Sequence, residues 1–412
     1  MKIKVYSVLY LLNFYLSGLL IPVMSLLLID RGASLSNLSI ILGLYAFTVV
    51  VLELPTGIMA DVFGRKKTFC LSLLISSIGF AIIYFGRGFL AMCAGIMFYG
   101  FSRALASGSF DALFIDYYIE HNGSDKLHNI TTRLAVLEAL GLAAGAISGG
   151  FFPKLAATYF PVMGIYDINL VLRILLSLVV ALLSLIFIEE HKKPESSERI
   201  TIKQHVKNSS AVIVANNTVI CIFLSVFATG FFLSSIETYW QPHFISLLPS
   251  DDMMGLLGIM AFLYLAAATL GSIASNRVIK KNRFNPKKLY LGLRLLLSFA
   301  LMITALQNSV PYFILSYSAI YLTFGMANVP EGAILNGEVP SEVRASVLSV
   351  YSFIFQVGGL IGSVVYSILI NYVTIPQIWL MASAVVFVTV IITAKRFLSH
   401  ASSISHAEQT QN

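Results

Sequence analysis

The sequence predicts an all-α polytopic membrane protein, with twelve transmembrane helices in two pseudo-symmetric six-helix bundles. Three observations carry that prediction. Of 412 residues, 57% are hydrophobic and only 11% charged, whereas water-soluble domains carry about 25% charged residues. Apolar runs recur from one end of the chain to the other, each long enough to cross a hydrocarbon core of about 30 Å. A shift of 214 positions then lays the second half over the first. A water-soluble fold is excluded.

The spans begin near Tyr6, Asn37, Thr68, Phe89, Ile130, Ile168, Thr218, Met253, Lys288, Pro311, Ala345 and Ile375. The first run is too long for a cleavable leader and leads straight into a second span, so it reads as an anchor. Residues 1–188 form the N-terminal six-helix bundle and 217–398 the C-terminal one. Between them, 189–216 is the longest polar stretch and reads as a cytoplasmic linker, and 399–412 reads as a disordered cytoplasmic tail. Under the 214-residue shift Gly271 falls over Gly57, Ser275 over Asp61, Lys280-Lys281 over Lys66-Lys67 and Gly359 over Gly145.

A net charge of +7 raises the question of a nucleic-acid partner. With both termini placed in the cytoplasm, 21 of the 27 Lys and Arg fall in loops on that side. Only Arg31, Arg87 and Lys154 lie in loops on the other, with Arg103, Arg173 and Arg294 inside spans. That asymmetry is the positive-inside signal, so the basic balance is topology and no nucleic-acid partner is expected. Cys70, Cys93 and Cys221 lie in or beside spans at no metal-ligand spacing, and the histidines show none either. No metal site, cofactor, disulfide framework or catalytic nucleophile–base pair is read from the sequence, and an enzyme is not expected.

The most informative stretch is the short charged hinge after the second span, Gly57-Ile-Met-Ala-Asp61-Val-Phe-Gly64-Arg65-Lys66-Lys67. Gly57 would let two helices approach closely, and Gly64 would permit a tight turn. Asp61 can accept hydrogen bonds from a facing helix N-terminus, and the three cations would hold the loop at an anionic membrane surface. This pattern resembles the signature loop of the major facilitator superfamily of secondary transporters, except that Val62 stands where a cation is usual. The resemblance implies two parallel six-helix repeats with substrate bound near the midplane between them, a monomer, and no cofactor beyond a proton gradient. It places the chain in a bacterial cytoplasmic membrane.

In the fifth span, Gly141, Gly145, Ala146, Gly149 and Gly150 set small residues along one stripe. Close helix packing explains such a stripe. The spacing also resembles a motif of proton-coupled drug exporters of that superfamily, with Ala146 where they have proline. Arg103 in the fourth span, followed by Gly108, loosely resembles an arginine that those exporters use in proton transfer. Its structural alternative is an ion pair with Glu53 or Asp111.

A carboxylate inside a membrane is expensive and normally faces a partner or a wet cavity. Glu53 is the first candidate for proton coupling, Asp111 the second and Glu331, beside Pro330, the third, with Arg103 as their cationic neighbour. Asp116 is expected to brace the hinge cations, Glu138 to serve the cytoplasmic gate, and Glu237, beside Tyr239 and Trp240, to mark an aromatic-belt rim. The superfamily's pathway-lining helices, projected onto this chain, add Asn13, Tyr15, Phe110, Phe231, Tyr321, Phe324, Asn328 and Gln356 as substrate-binding candidates. A mostly apolar, aromatic pocket suits amphipathic organic molecules. The function expected is export of a small organic drug or metabolite by proton antiport with alternating access. The alternatives are a proton-coupled symporter or facilitator importing a nutrient, a lipid translocator, or a transport-inactive sensor.

Overall fold

The computed structural model describes residues 2–107, 109–123, 127–190, 216–281, 285–340 and 343–409. Among the described residues every regular element is a helix. In chain order these are α1 (Lys2–Gly18), α2 (Met24–Asp30), α3 (Leu35–Phe63), α4 (Arg65–Phe85), α5 (Phe89–Ser107), α6 (Phe110–Asn122), α7 (Leu127–Tyr159) and α8 (Asp167–Phe187). There follow α9 (Asn217–Leu247), a 3₁₀ turn (Asp251–Gly255), α10 (Leu256–Lys280), α11 (Pro286–Ala305), α12 (Val310–Glu338), α13 (Arg344–Leu369) and α14 (Ile375–Gln409).

Eleven stretches among the described residues are long and apolar enough to cross a membrane, α5 and α6 counting as one. The twelfth span is built from α1, 17 residues long, and α2. Its interruption has a local cause. Pro22 has no amide hydrogen, and its ring would meet the carbonyl of Gly18 in a continuous helix. The chain turns through residues 19–23 instead, with Ile21 N donating to Gly18 O at 3.2 Å. The α5–α6 span is likewise discontinuous, α5 stopping at Ser107 and α6 starting at Phe110. α14 runs on to Gln409, past the expected end of the last span.

The backbone forms two compact units, Met1–Glu195 with Thr238–Leu265, and Ser196–Glu237 with Ala266–Asn412. The first halves of α10 and last turns of α9 thus belong with the N-terminal helices. Gln241 donates through Nε2 to Ile21 O at 2.7 Å, in the broken part of the first span. Gly258 lies against Gly150, where a methyl group on Gly150 would meet backbone atoms of Gly258.

In the first unit the glycine stripe of α7 packs on α1. A methyl group at Gly141 would stand 2.9 Å from Phe14 Cβ, one at Gly145 would stand 2.8 Å from Gly18 Cα, and one at Gly149 would press on Leu19. The second unit repeats the arrangement with α13 on α9. Methyl groups at Gly230 and Gly358 would run into the backbone at Phe355 and Phe227 respectively. Lipid tails are as apolar as leucine, so helix association rests on such close backbone packing and on polar contacts. Asn169 supplies the latter, donating to Leu19 O at 3.0 Å and Gly149 O at 2.9 Å across the α1–α7 seam.

Gly145→Val should therefore lower the thermal unfolding temperature of the purified protein. Gly292→Ala, on α11 where an added carbon meets nothing within 4 Å, should hold or raise it, by about 0.5–1 kcal/mol in helix preference. Fluorescence-detected size exclusion after graded heating reads both, and equal behaviour of the two variants would contradict the packing account.

Candidate functional site

The hinge between α3 and α4 is a single residue. Gly64 has φ 99° and ψ 141°, a backbone region that is essentially glycine-only. A side chain there would also collide with the carboxylate of Glu190, whose Cδ lies 2.7 Å from the position a methyl group would take. Glu190 Oε1 accepts from the backbone N–H of Lys66 at 3.2 Å, capping the free start of α4. Arg65 forms an ion pair with Asp116 of α6. Lys66 is half-buried and Lys67 exposed. The side chain of Asp61 lies outside the described residues, as does Gly108.

Glu190 was read from sequence as linker, and its docking on the hinge was missed. The acidic doublet directly after α8, with three consecutive cations four spans earlier, was the available signal. The close-approach role expected of Gly57 is corrected: a carbon added there meets nothing within 4 Å. The neighbouring turns make the contact instead, Thr56 donating to Ala104 O of α5 at 2.9 Å and Ala60 being buried.

Four helices of the first unit bring ionisable groups together. Tyr10 of α1 hydrogen-bonds Asp111 at the start of α6. Arg103 of α5 lies within electrostatic range of both Asp111 and Glu138 of α7. Asp111 and Arg103 are exposed and Glu138 is half-buried, although they stand on membrane-spanning stretches. An acid in the first turn of α6 also meets the positive end of that helix. Tyr10 was not singled out from the sequence, since one tyrosine in an apolar run gives no signal. Glu53 is exposed on α3, and no charged partner pairs with it among the described residues. Phe110 is buried, stacked on Phe69 with centroids 4.1 Å apart. Tyr15 accepts from Ser148 of α7 at 3.0 Å, and Asn13 is half-buried nearby on the same helix. Ala146 is fully buried in the α7 stripe.

The second unit holds two carboxylates in contrasting settings. Glu237 of α9 is exposed and hydrogen-bonded by Tyr321 of α12. It lies ten residues before the end of α9, roughly 15 Å along the axis. Tyr321 continues into Phe324 with centroids 6.4 Å apart, and Phe324 meets Phe232 at 6.4 Å. Phe231 packs on Tyr366 at 4.9 Å. Asn328 is exposed and Gln356 half-buried. Glu331 is only 5% exposed. Tyr290 of α11 donates to its Oε2 at 2.6 Å, and Tyr351 of α13 donates to its Oε1. Arg294 lies within electrostatic range of both tyrosines. These two tyrosines were also missed, because their partner lies 41 and 20 residues away.

Helical spans in two units, with carboxylates and arginines inside them, define a polytopic membrane protein. The sequence matches the Major Facilitator Superfamily over residues 6–363 and again over 218–410, and the chain belongs to that superfamily. It is 23% identical over 355 residues, 85% of each chain, to the uncharacterized MFS-type transporter YxaM of Bacillus subtilis (strain 168). It is 28% identical over 241 residues to Multidrug resistance protein 2 of the same organism, covering 57% of this chain and 56% of that one. The fold matches the crystal structure of the nucleoside transporter NupG with a TM-score of 0.80 at 14% identity, over 96% of this chain and 99% of that one.

Glu331→Ala would strand two buried hydroxyls, at about 1–3 kcal/mol each. Its unfolding temperature should fall well below that of Glu331→Gln, which keeps an acceptor for one of them. Tyr290→Phe, which removes one donor, should fall between wild type and Glu331→Ala in the same heating assay.

Proposed function

We propose that this transporter exports a small, amphipathic organic compound across a bacterial cytoplasmic membrane in exchange for protons, with both termini in the cytoplasm. The observation that supports the reading is the open cluster of Tyr10, Arg103, Asp111 and Glu138, drawn from four helices. Two carboxylates beside one arginine cannot both stay ionised as cheaply as one can, so the cluster exchanges a proton readily while Arg103 keeps one acid charged. Proton uptake at Asp111 or Glu138 and substrate binding then favour different states of one conformational equilibrium, and access alternates between the two membrane faces. Glu53, exposed and without a charged partner among the described residues, and Glu237, held by Tyr321, are the further acids that substrate or protons reach. Glu331, sealed beneath two tyrosines, braces the second unit. The arginine and glycine motifs resemble those of drug exporters, and a Bacillus multidrug resistance protein is among the relatives.

The test uses everted membrane vesicles energised by a respiratory substrate and loaded with a panel of lipophilic dyes and antibiotics. Uptake should collapse on adding a protonophore. Asp111→Asn should reduce gradient-driven uptake by about tenfold or more, equivalent to ~1.4 kcal/mol of coupling, while Glu331→Gln should reduce it far less. Uptake that is indifferent to the protonophore would rule out antiport, and accumulation only in right-side-out vesicles would establish import instead.

A further inference from the structure

The interruption of the first span borders a cavity of about 210 Å³, lined by Ser17, Leu20, Ile21, Met24, Leu42, Tyr45, Ile96 and Tyr99. All of these residues belong to the first unit. Its walls are apolar apart from one serine and two tyrosines. An apolar protein cavity of about 150 Å³ holds benzene, so this one accommodates a substituted or fused ring. Tyr45 and Tyr99 stand side by side with centroids 5.0 Å apart, offering ring faces to such a group.

The electrostatic setting of those two rings is unusual. Arg173 of α8 lies over the ring of Tyr99, 5.6 Å from its centroid, and over Phe80 at 5.3 Å. It is 4% exposed, and among the described residues its one hydrogen bond to another side chain goes to Ser76 Oγ at 3.2 Å. Its Nε and Nη1 have no partner, and among the described residues no carboxylate pairs with it. Arg103 is within electrostatic range of the same two tyrosines but has Asp111 and Glu138 to offset it, so the unbalanced charge is that of Arg173. A buried cation in a membrane without a counter-ion is costly, and its partner is normally a functional one. The cavity therefore combines an apolar, aromatic lining with an unneutralised positive potential behind it, a combination that disfavours cations.

The geometry points to a binding site for an amphipathic organic anion: its ring packs in the cavity against the Tyr45–Tyr99 pair, and the positive potential of Arg173 behind Tyr99 selects its negative charge. At the break, the carbonyls of Leu19 and Ile21 are already taken by Asn169 and Gln241 and do not repel an anion as free acceptors would. This names the substrate class for the export reading and rests on it only for the movement of the bound molecule.

Equilibrium dialysis on the full chain in lipid nanodiscs tests it with three radiolabelled probes of one shape: 2-naphthoate, 2-naphthylmethanol and 2-naphthylmethylammonium. Naphthoate should bind about tenfold or more tightly than either analogue. Ile96→Trp and Leu42→Trp, which fill the cavity from two different helices, should each abolish that binding, and Arg173→Met should level the three affinities. Binding of the ammonium probe as tight as that of naphthoate would overturn the proposal. So would naphthoate binding unchanged in both filled variants. The wild-type probe series decides charge selectivity even where Arg173→Met does not fold. Loss of naphthoate selectivity with proton-driven dye export intact overturns this site and spares the export reading. Selective binding without any gradient-driven flux does the reverse.

Discussion

Backbone contact between the first and fifth helices of each unit is the constraint on which the rest of this structure depends. In a bilayer, burying leucine against leucine gains little over burying it in lipid, so helices associate where small residues let their backbones touch. Gly141, Gly145 and Gly149 bring α7 onto α1, and Gly230 and Gly358 bring α13 onto α9. Everything polar is then hung on these seams. Asn169 bridges the α1–α7 pair, and Tyr10 and Glu138 come into the same charged neighbourhood because α1 and α7 are locked together. Of the two readings the sequence leaves open for the stripe, the structure shows the packing one, and that packing is what places Tyr10 and Glu138 near each other.

Glu331 of the second unit and Asp111 of the first sit in contrasting settings. In the second unit, Glu331 receives two tyrosine hydroxyls, one on each carboxylate oxygen, and at 5% exposure it is closed off from solvent. In the first, Asp111 is exposed, with one tyrosine donor and an arginine in range. Fully satisfied buried networks rigidify, and partly open ones respond to solvent. The order in which these acids are proposed for proton exchange follows from this contrast more than from position along the span. It moves Asp111 ahead of Glu53 and Glu331 behind both.

Much of the fold was legible because membrane spans are written in long apolar runs. All twelve predicted starts fall within four residues of a described helix start, the eighth excepted only in that a short 3₁₀ turn precedes α10. The hinge was legible as well, since a glycine-only turn leaves an unmistakable residue. The partners of the charges were not. Tyr10 for Asp111, Tyr290 and Tyr351 for Glu331, and Glu190 for the start of α4 are all long-range pairings, set by which helices pack and in what rotation. A tyrosine in an apolar span carries no mark of its partner. The role given to Gly57 failed for a related reason: the sequence places a small residue on a helix, but only packing decides which face meets a neighbour.

The three arginines inside spans offer an internal comparison. Arg294 donates to Thr229 Oγ1 at 2.5 Å and to Ser225 O at 2.8 Å, with the Glu331 carboxylate one tyrosine away. Arg103 has Asp111 and Glu138 in range. Arg173 is as deeply buried as Arg294, yet it has only a serine and two ring faces. Ring faces attract a guanidinium by about 0.5–2 kcal/mol, far less than the several kcal/mol that a buried ion loses on leaving water. If Arg173 served structure alone, a shorter neutral side chain on α8 would pack the same gap at lower cost, as buried ion pairs are often replaced without loss by apolar groups. A buried guanidinium beside an aromatic cavity with no carboxylate paired to it among the described residues is the arrangement that the anion-site proposal accounts for.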